Sequence, residues 1–204
     1  LQKDYDGKIT LLNRLVDKYP NSPYAVSALY EKGRSYVQGR NNSQAIVTFR
    51  ELLNKYPESP VSRKAAAEIG LLYYQNDDYN RAIEAYKYVI TQYPGSEEAR
   101  LAMRDLKSIY VEANRVDEFA ALAAQMPGAI RFEPNEQDSL TYIAAEKVYM
   151  KGEIIPARES FTRYLQSYPN GAFSLNAHYY LSLIGKEQKD ETGVLEHTGK
   201  LLEY

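Results

Sequence analysis

The sequence predicts an all-α chain, a solenoid of about eleven helices paired as hairpins and wound into a right-handed superhelix. Three observations predict it: a regularly spaced Tyr-Pro dipeptide, apolar residues three and four apart between its copies, and a Ser-Pro pair opening successive periods. Tyr-Pro stands at Tyr19-Pro20, Tyr56-Pro57, Tyr93-Pro94 and Tyr168-Pro169, with intervals of 37, 37 and 75 residues between prolines. Met126-Pro127 marks a weaker copy inside the long interval. A fixed period of this size is the signature of a repeat array. One hairpin cannot hide its own apolar face, so each must cover its neighbour's.

Taken in order, the chain opens with Tyr5 to Pro20, which matches Tyr79 to Pro94 and therefore reads as the second helix of a hairpin. Its first helix is expected upstream, and the chain is read as a piece of a longer repeat protein. The next copy starts at Ser22-Pro23, an N-cap followed by proline at the first helical position, where the missing N–H costs nothing. Leu29, Gly33 and Tyr36 mark its first helix; Ala45, Phe49 and Leu52 mark its second, which Pro57 ends. The following copy repeats the plan: Ser59-Pro60, then Ala66, Ile69, Gly70 and Tyr73, a polar break at Gln75 to Asp78, then Tyr79, Ala82, Ile83, Tyr86, Val89 and Ile90. Small residues (Gly33, Gly70, Ala145; Ala45, Ala82, Ala157) fall where paired helices cross, and Phe49, Tyr86 and Phe161 are the large knobs one turn later.

The third copy is degenerate. Lys107 replaces Gly70, Phe119 replaces Ala82, and the helix from Val116 reaches Pro127 about one turn early. An irregular segment over 128–138 follows, with Ile130 and Phe132 expected to tuck against the stack. The predicted organisation is thus repeats over 1–127, a loop over 128–138 and repeats over 139–204, one continuous solenoid. The fourth copy carries Ala145, Ala157, Phe161, Tyr164 and Pro169; the fifth is degenerate.

The series Gly33–Tyr36–Ala45–Phe49–Pro57 and Gly70–Tyr73–Ala82–Tyr86–Pro94 resembles the tetratricopeptide repeat, and the resemblance covers nearly the whole chain. Two departures stand out: Leu29 and Ala66 occupy the family's usual Trp position, and the period exceeds the commonest one of about 34 residues. The joint Tyr-Pro-x-Ser-x-x-x-Ala is similar to that of tetratricopeptide proteins of the Gram-negative envelope, such as outer-membrane assembly lipoproteins and Tol–Pal coordinating proteins. That resemblance implies a non-enzymic scaffold binding a peptide or partner protein on its concave face. It also implies the periplasm or the periplasmic face of the outer membrane, with cytoplasm as the alternative. Two other roles stay open: a repeat arm anchoring or regulating a larger multidomain enzyme, and a cytoplasmic adaptor of co-chaperone type.

Alignment to the repeat places a second set of residues on the concave side of the first helices. The set is Tyr30 and Arg34, then Lys64, Leu71 and Tyr74, then Arg104 and Ser108, then Tyr142, Glu146 and Tyr149, and finally Tyr179 and Leu183. Tyr and Arg are the side chains that dominate binding surfaces, being large and amphipathic.

Composition narrows the rest. Lys and Arg number 25 against 27 Asp and Glu, so the basic surplus that nucleic-acid binding needs is missing. Cysteine is absent, which removes disulfides, thiolate metal sites and cysteine nucleophiles. No apolar run of about 18 residues is present to span a membrane. No glycine-rich phosphate loop or Gly-x-Ser-x-Gly occurs. His178 and His197 have no His, Cys or Asp at i+3 or i+4 to complete a metal pair. No catalytic residue, metal or cofactor is expected, and oligomeric state is left open.

Overall fold

The computed structural model describes residues 4–126, 130 and 132–203. Among them are eleven α-helices and no strand, in agreement with the repeat pattern. Two compact units are formed by residues 1–106 and 107–204, the division falling within α6.

The first unit holds α1 (Tyr5–Lys18), α2 (Pro23–Gln38), α3 (Asn42–Lys55), α4 (Pro60–Gln75), α5 (Tyr79–Gln92) and the opening turns of α6 (Glu97–Glu112). Consecutive helices from α1 to α5 pack on one another, and α2 also meets α4. The Ser-Pro signals act as read: Ser22 Oγ accepts from the Tyr24 N–H and Ser59 Oγ from the Val61 N–H, each at 3.2 Å. Second helices use a different cap. Asp4, Asn41 and Asp78 accept from the N–H three residues on, at 2.7, 3.2 and 3.1 Å.

Between the two helices of a hairpin, the turn passes through one left-handed residue. Arg40, Asp77, Asn114 and Lys189 hold φ of 60°, 56°, 54° and 58°, and Gly152 takes the same place at 79°. The N–H after this residue reaches back to a carbonyl of the last turn (Asn41 to Tyr36, 2.8 Å; Asp78 to Tyr73, 3.0 Å), which closes the helix end. The tyrosine of the Tyr-Pro joint has a job of its own. Tyr56 Oη donates to the Pro20 carbonyl at 2.6 Å, and Tyr93 Oη to the Pro57 carbonyl at 3.3 Å, bonding each joint to the preceding one. Burial pushes the Tyr93 phenol up to about 12.

Core formation follows the small-and-large alternation. Ala25, Leu29, Ala45, Phe49, Leu52, Ala65, Ala82 and Val89 are wholly buried. A Cβ added to Gly33 would lie 2.3 Å from the Phe49 ring, and one on Gly70 would lie 2.7 Å from the Tyr86 ring, so the knobs press on the glycine backbone.

The second unit holds the end of α6, α7 (Val116–Gln125), α8 (Pro134–Met150), α9 (Ile154–Ser167), α10 (Ser174–Glu187) and α11 (Glu191–Leu202), each packed on the next from α7 onward. Helix α7 has ten residues where α5 has fourteen. Its N-cap, Arg115, supplies no side-chain acceptor and instead pairs with Glu118. Large and small trade places here: Phe119, at the position of Ala82, is buried, while Ala123 stands at that of Tyr86. Phe119 packs on Tyr110 at 5.5 Å and edge-on to Phe132 at 5.0 Å. Ile130 is buried and Phe132 half-buried against Val111, Val116 and Ala144, so both tuck in as expected. The segment read as irregular to residue 138 is helical from Pro134, since proline's fixed φ suits a first helical turn as well as a loop. Residues 128, 129 and 131 of that segment, and 127 before it, lie outside those described. Tyr142, Ala145, Ala157, Phe161, Tyr164, Ala177, Leu181 and Ile184 form the main core of this unit.

Candidate functional site

In the first unit the first-helix residues sort by exposure. Arg34, Lys64, Leu71 and Arg104 are exposed, while Tyr30 and Tyr74 are half-buried. The Tyr30 ring rests on Phe49 at 5.7 Å, and the Tyr74 ring on Tyr79 at 6.0 Å, which limits both to one open edge. Lys64 and Leu71 project from the side of α4 opposite Ala66, Ile69 and Tyr73, because residues two apart on a helix differ by about 200°. They therefore stay in water while the other side makes the core.

One residue absent from the alignment organises this face. Glu68 of α4 accepts from Tyr30 Oη and from Arg34 Nη1 of α2, both at 3.4 Å. Glu31 and Asp105 stand one period away on either side, and each is also paired: Glu31 with Lys8 at 2.8 Å, Asp105 with Arg104 at 3.1 Å and with Tyr86 Oη at 3.4 Å. Their 37-residue spacing was visible in the sequence and is the signal that finds them. Burial raises the Tyr30 phenol above its ordinary value, so it is a neutral donor at any physiological pH. The face thus presents a carboxylate row with tyrosine and arginine beside it. Such pairs, partly open to water, add little stability and much directional hydrogen bonding.

In the second unit Tyr142 is a core residue: it is only 4% exposed, because Phe173 stacks on it at 4.6 Å with rings 9° apart. Its hydroxyl donates to Glu146 at 2.9 Å, and the Tyr180 hydroxyl donates to the same oxygen at 3.0 Å. Glu146 thereby ties α8 to α10, and burial with this carboxylate holds the Tyr142 phenol far above its ordinary value. Tyr149 is half-buried on Tyr180 at 4.9 Å. Tyr179, 51% exposed, keeps the most open ring of the three tyrosines aligned here, and Leu183 is half-buried. Tyr180, which alignment passed over, does more of the local work than Tyr179 does.

The histidines meet across the last hairpin. They lie 19 residues apart on α10 and α11, yet Nδ1 of His178 is 3.0 Å from Nδ1 of His197, with ring centroids 5.2 Å apart. A search along one helix at i+3 and i+4 could not see a pair made by hairpin closure.

The YfiO family model, described as an outer membrane lipoprotein, matches residues 25–187, well over half of the chain. A tetratricopeptide-repeat model matches residues 1–22. No curated protein matches. Among solved structures, a tetratricopeptide repeat protein from Parabacteroides merdae ATCC 43184 is 11% identical, with 98% of this chain and 73% of that one covered and a TM-score of 0.49. BtubC from P. vanneervenii is 13% identical over 99% of this chain and 91% of that one, with a TM-score of 0.46. MamA from Desulfovibrio magneticus RS-1 is 13% identical over 87% and 93%, with a TM-score of 0.42.

Proposed function

The chain belongs to the YfiO outer membrane lipoprotein family, and from that premise we propose that it is a protein-binding scaffold of outer-membrane assembly, working at the periplasmic face of that membrane. Its partner is an extended peptide or an amphipathic helix laid along the first-helix face. The observation that carries the reading is the surface of α2, α4 and α6 in the first unit. There Arg34, Lys64, Leu71 and Arg104 stay exposed beside half-buried Tyr30 and Tyr74 and the Glu68 carboxylate. Apolar and aromatic edges supply desolvation on binding, and the ionic groups fix orientation and partner choice. In the second unit the same role falls mainly to Tyr179, since Tyr142, Glu146 and Tyr149 are engaged with their own neighbours.

Site-specific photo-crosslinking tests this reading. A photoreactive side chain at Leu71 is expected to capture a discrete envelope protein, whereas one at Val47, which is 59% exposed on α3, is not. The double variant Tyr74→Ala with Arg104→Ala should weaken that capture at least about tenfold, as loss of two such anchors does. Equal capture from both positions, or capture unchanged in the double variant, would remove the first-helix face from consideration.

A further inference from the structure

We propose that His178 and His197 form a two-imidazole chelate for a divalent transition-metal ion, bridging α10 and α11 and taking Cu²⁺ or Ni²⁺ in preference to Mg²⁺ or Ca²⁺. Imidazole nitrogens bind such ions at about 2.0–2.1 Å, so two of them in adjacent coordination positions stand roughly 3 Å apart. The two Nδ1 atoms are already 3.0 Å apart, each on a separate helix of one closed hairpin. The rings meet nearly end to end, with centroids 5.2 Å apart, so both side chains must rotate to turn their lone pairs toward one ion. Among the described residues no group of three or more His, Cys, Asp or Glu side chains surrounds a point in space, so water fills the remaining positions. A cavity of about 410 Å³, lined by Ser174, Leu175, His178, Lys200 and Glu203 among others, opens beside His178. Imidazole donors with open, water-filled positions suit the borderline ions, and Cu²⁺ heads the order of affinity.

The protons balance simply. Without metal, one Nδ1–H donates to the other Nδ1. On binding, that ring carries its proton on Nε2 instead, so two neutral rings release no net proton to the medium. Both rings are predisposed to the neutral, ligating form, because burial lowers each below the ordinary value. The second influence on His178 is the His197 ring itself. The charged groups around the pair are mixed: Glu196 and Lys200 on α11, Asp190 and Glu203 at its two caps, and Arg158 on α9. Arg158 is held by Asp190 at 2.5 Å and Lys200 by Glu203 at 3.0 Å, which blunts both cations as repellents of an incoming ion.

The test uses the chain freed of any purification tag and stripped with chelator, titrated with Cu²⁺ alone and with Ni²⁺ alone in a calorimeter. One ion per chain is expected, with electron paramagnetic resonance of the Cu²⁺ form showing two nitrogen donors. His178→Gln and His197→Gln should each weaken binding about tenfold or more, since each leaves a single imidazole. Circular dichroism checks that both variants keep the wild-type helix content. Affinity that is equal in wild type and both variants would overturn the site as adventitious surface binding. Affinity lost in only one variant, or a spectrum with one nitrogen donor, would overturn the chelate.

Discussion

Two glycines show how little slack the hairpin crossings have. Because a Cβ on Gly70 would meet the Tyr86 ring at 2.7 Å, Gly70→Ala should cost about 1–3 kcal/mol, as overpacking of a filled core does. Urea denaturation reads this directly, and a loss well under the range would mean the ring swings aside. The left-handed turn residues run the other way. A non-glycine side chain at φ near 60° costs on the order of 1 kcal/mol, so Arg40→Gly should raise the urea midpoint by about 0.5–1 kcal/mol of stability. Arg40→Val should lower it. Spacing revealed the crossing glycines and the break at Gln75 to Asp78, but not the turns at Arg40 and Lys189, which carry none of the usual left-handed signature.

At the scale of single elements, the pattern located every helix and misjudged where irregular ones begin. Helix α7 lacks the Asx cap of α1, α3 and α5 and swaps Ala82/Tyr86 for Phe119/Ala123. Aligned by position, the pair looks like damage; by volume, it is a filled core. The α10–α11 hairpin carries a pH signature of its own. His178 and His197 are both lowered from the ordinary 6.5, so the folded hairpin binds fewer protons than the unfolded chain. Their contribution is intact above about pH 6.5 and is lost as pH falls below it toward the folded values. Protection factors of α10 and α11 amides, corrected for the intrinsic pH dependence of exchange, should therefore fall between about pH 7.5 and about pH 5.5. The variant His178→Gln with His197→Gln should flatten the response. A wild-type profile as flat as the variant's would contradict it.

Over the whole molecule, stability is assembled from neighbour to neighbour, and protection should grade accordingly. No residue of α11 is buried, while α9 contributes Ala157, Phe161 and Tyr164 to the core of its unit. Amides of α11 are thus expected to exchange well before those of α9, and equal protection would show that the hairpins open together. The architecture was legible in the sequence because a repeat states its plan several times over. The candidate surface was less so. Alignment names positions, but it cannot tell that Phe173 roofs Tyr142, that Glu146 is shared by two phenols, or that Glu68 gathers Tyr30 and Arg34. Such facts depend on which side chains from distant segments arrive together.

The phenol-to-proline bonds at the Tyr56 and Tyr93 joints bear on how such a protein can change over time. Tyr56 and Tyr93 clasp a main-chain oxygen, an atom every residue possesses. The spacing between successive joints is therefore anchored to the polypeptide itself, independent of whatever side chains decorate the outward-facing helices. Those helices are left at liberty to acquire new ligands while the joints beneath them keep their distance.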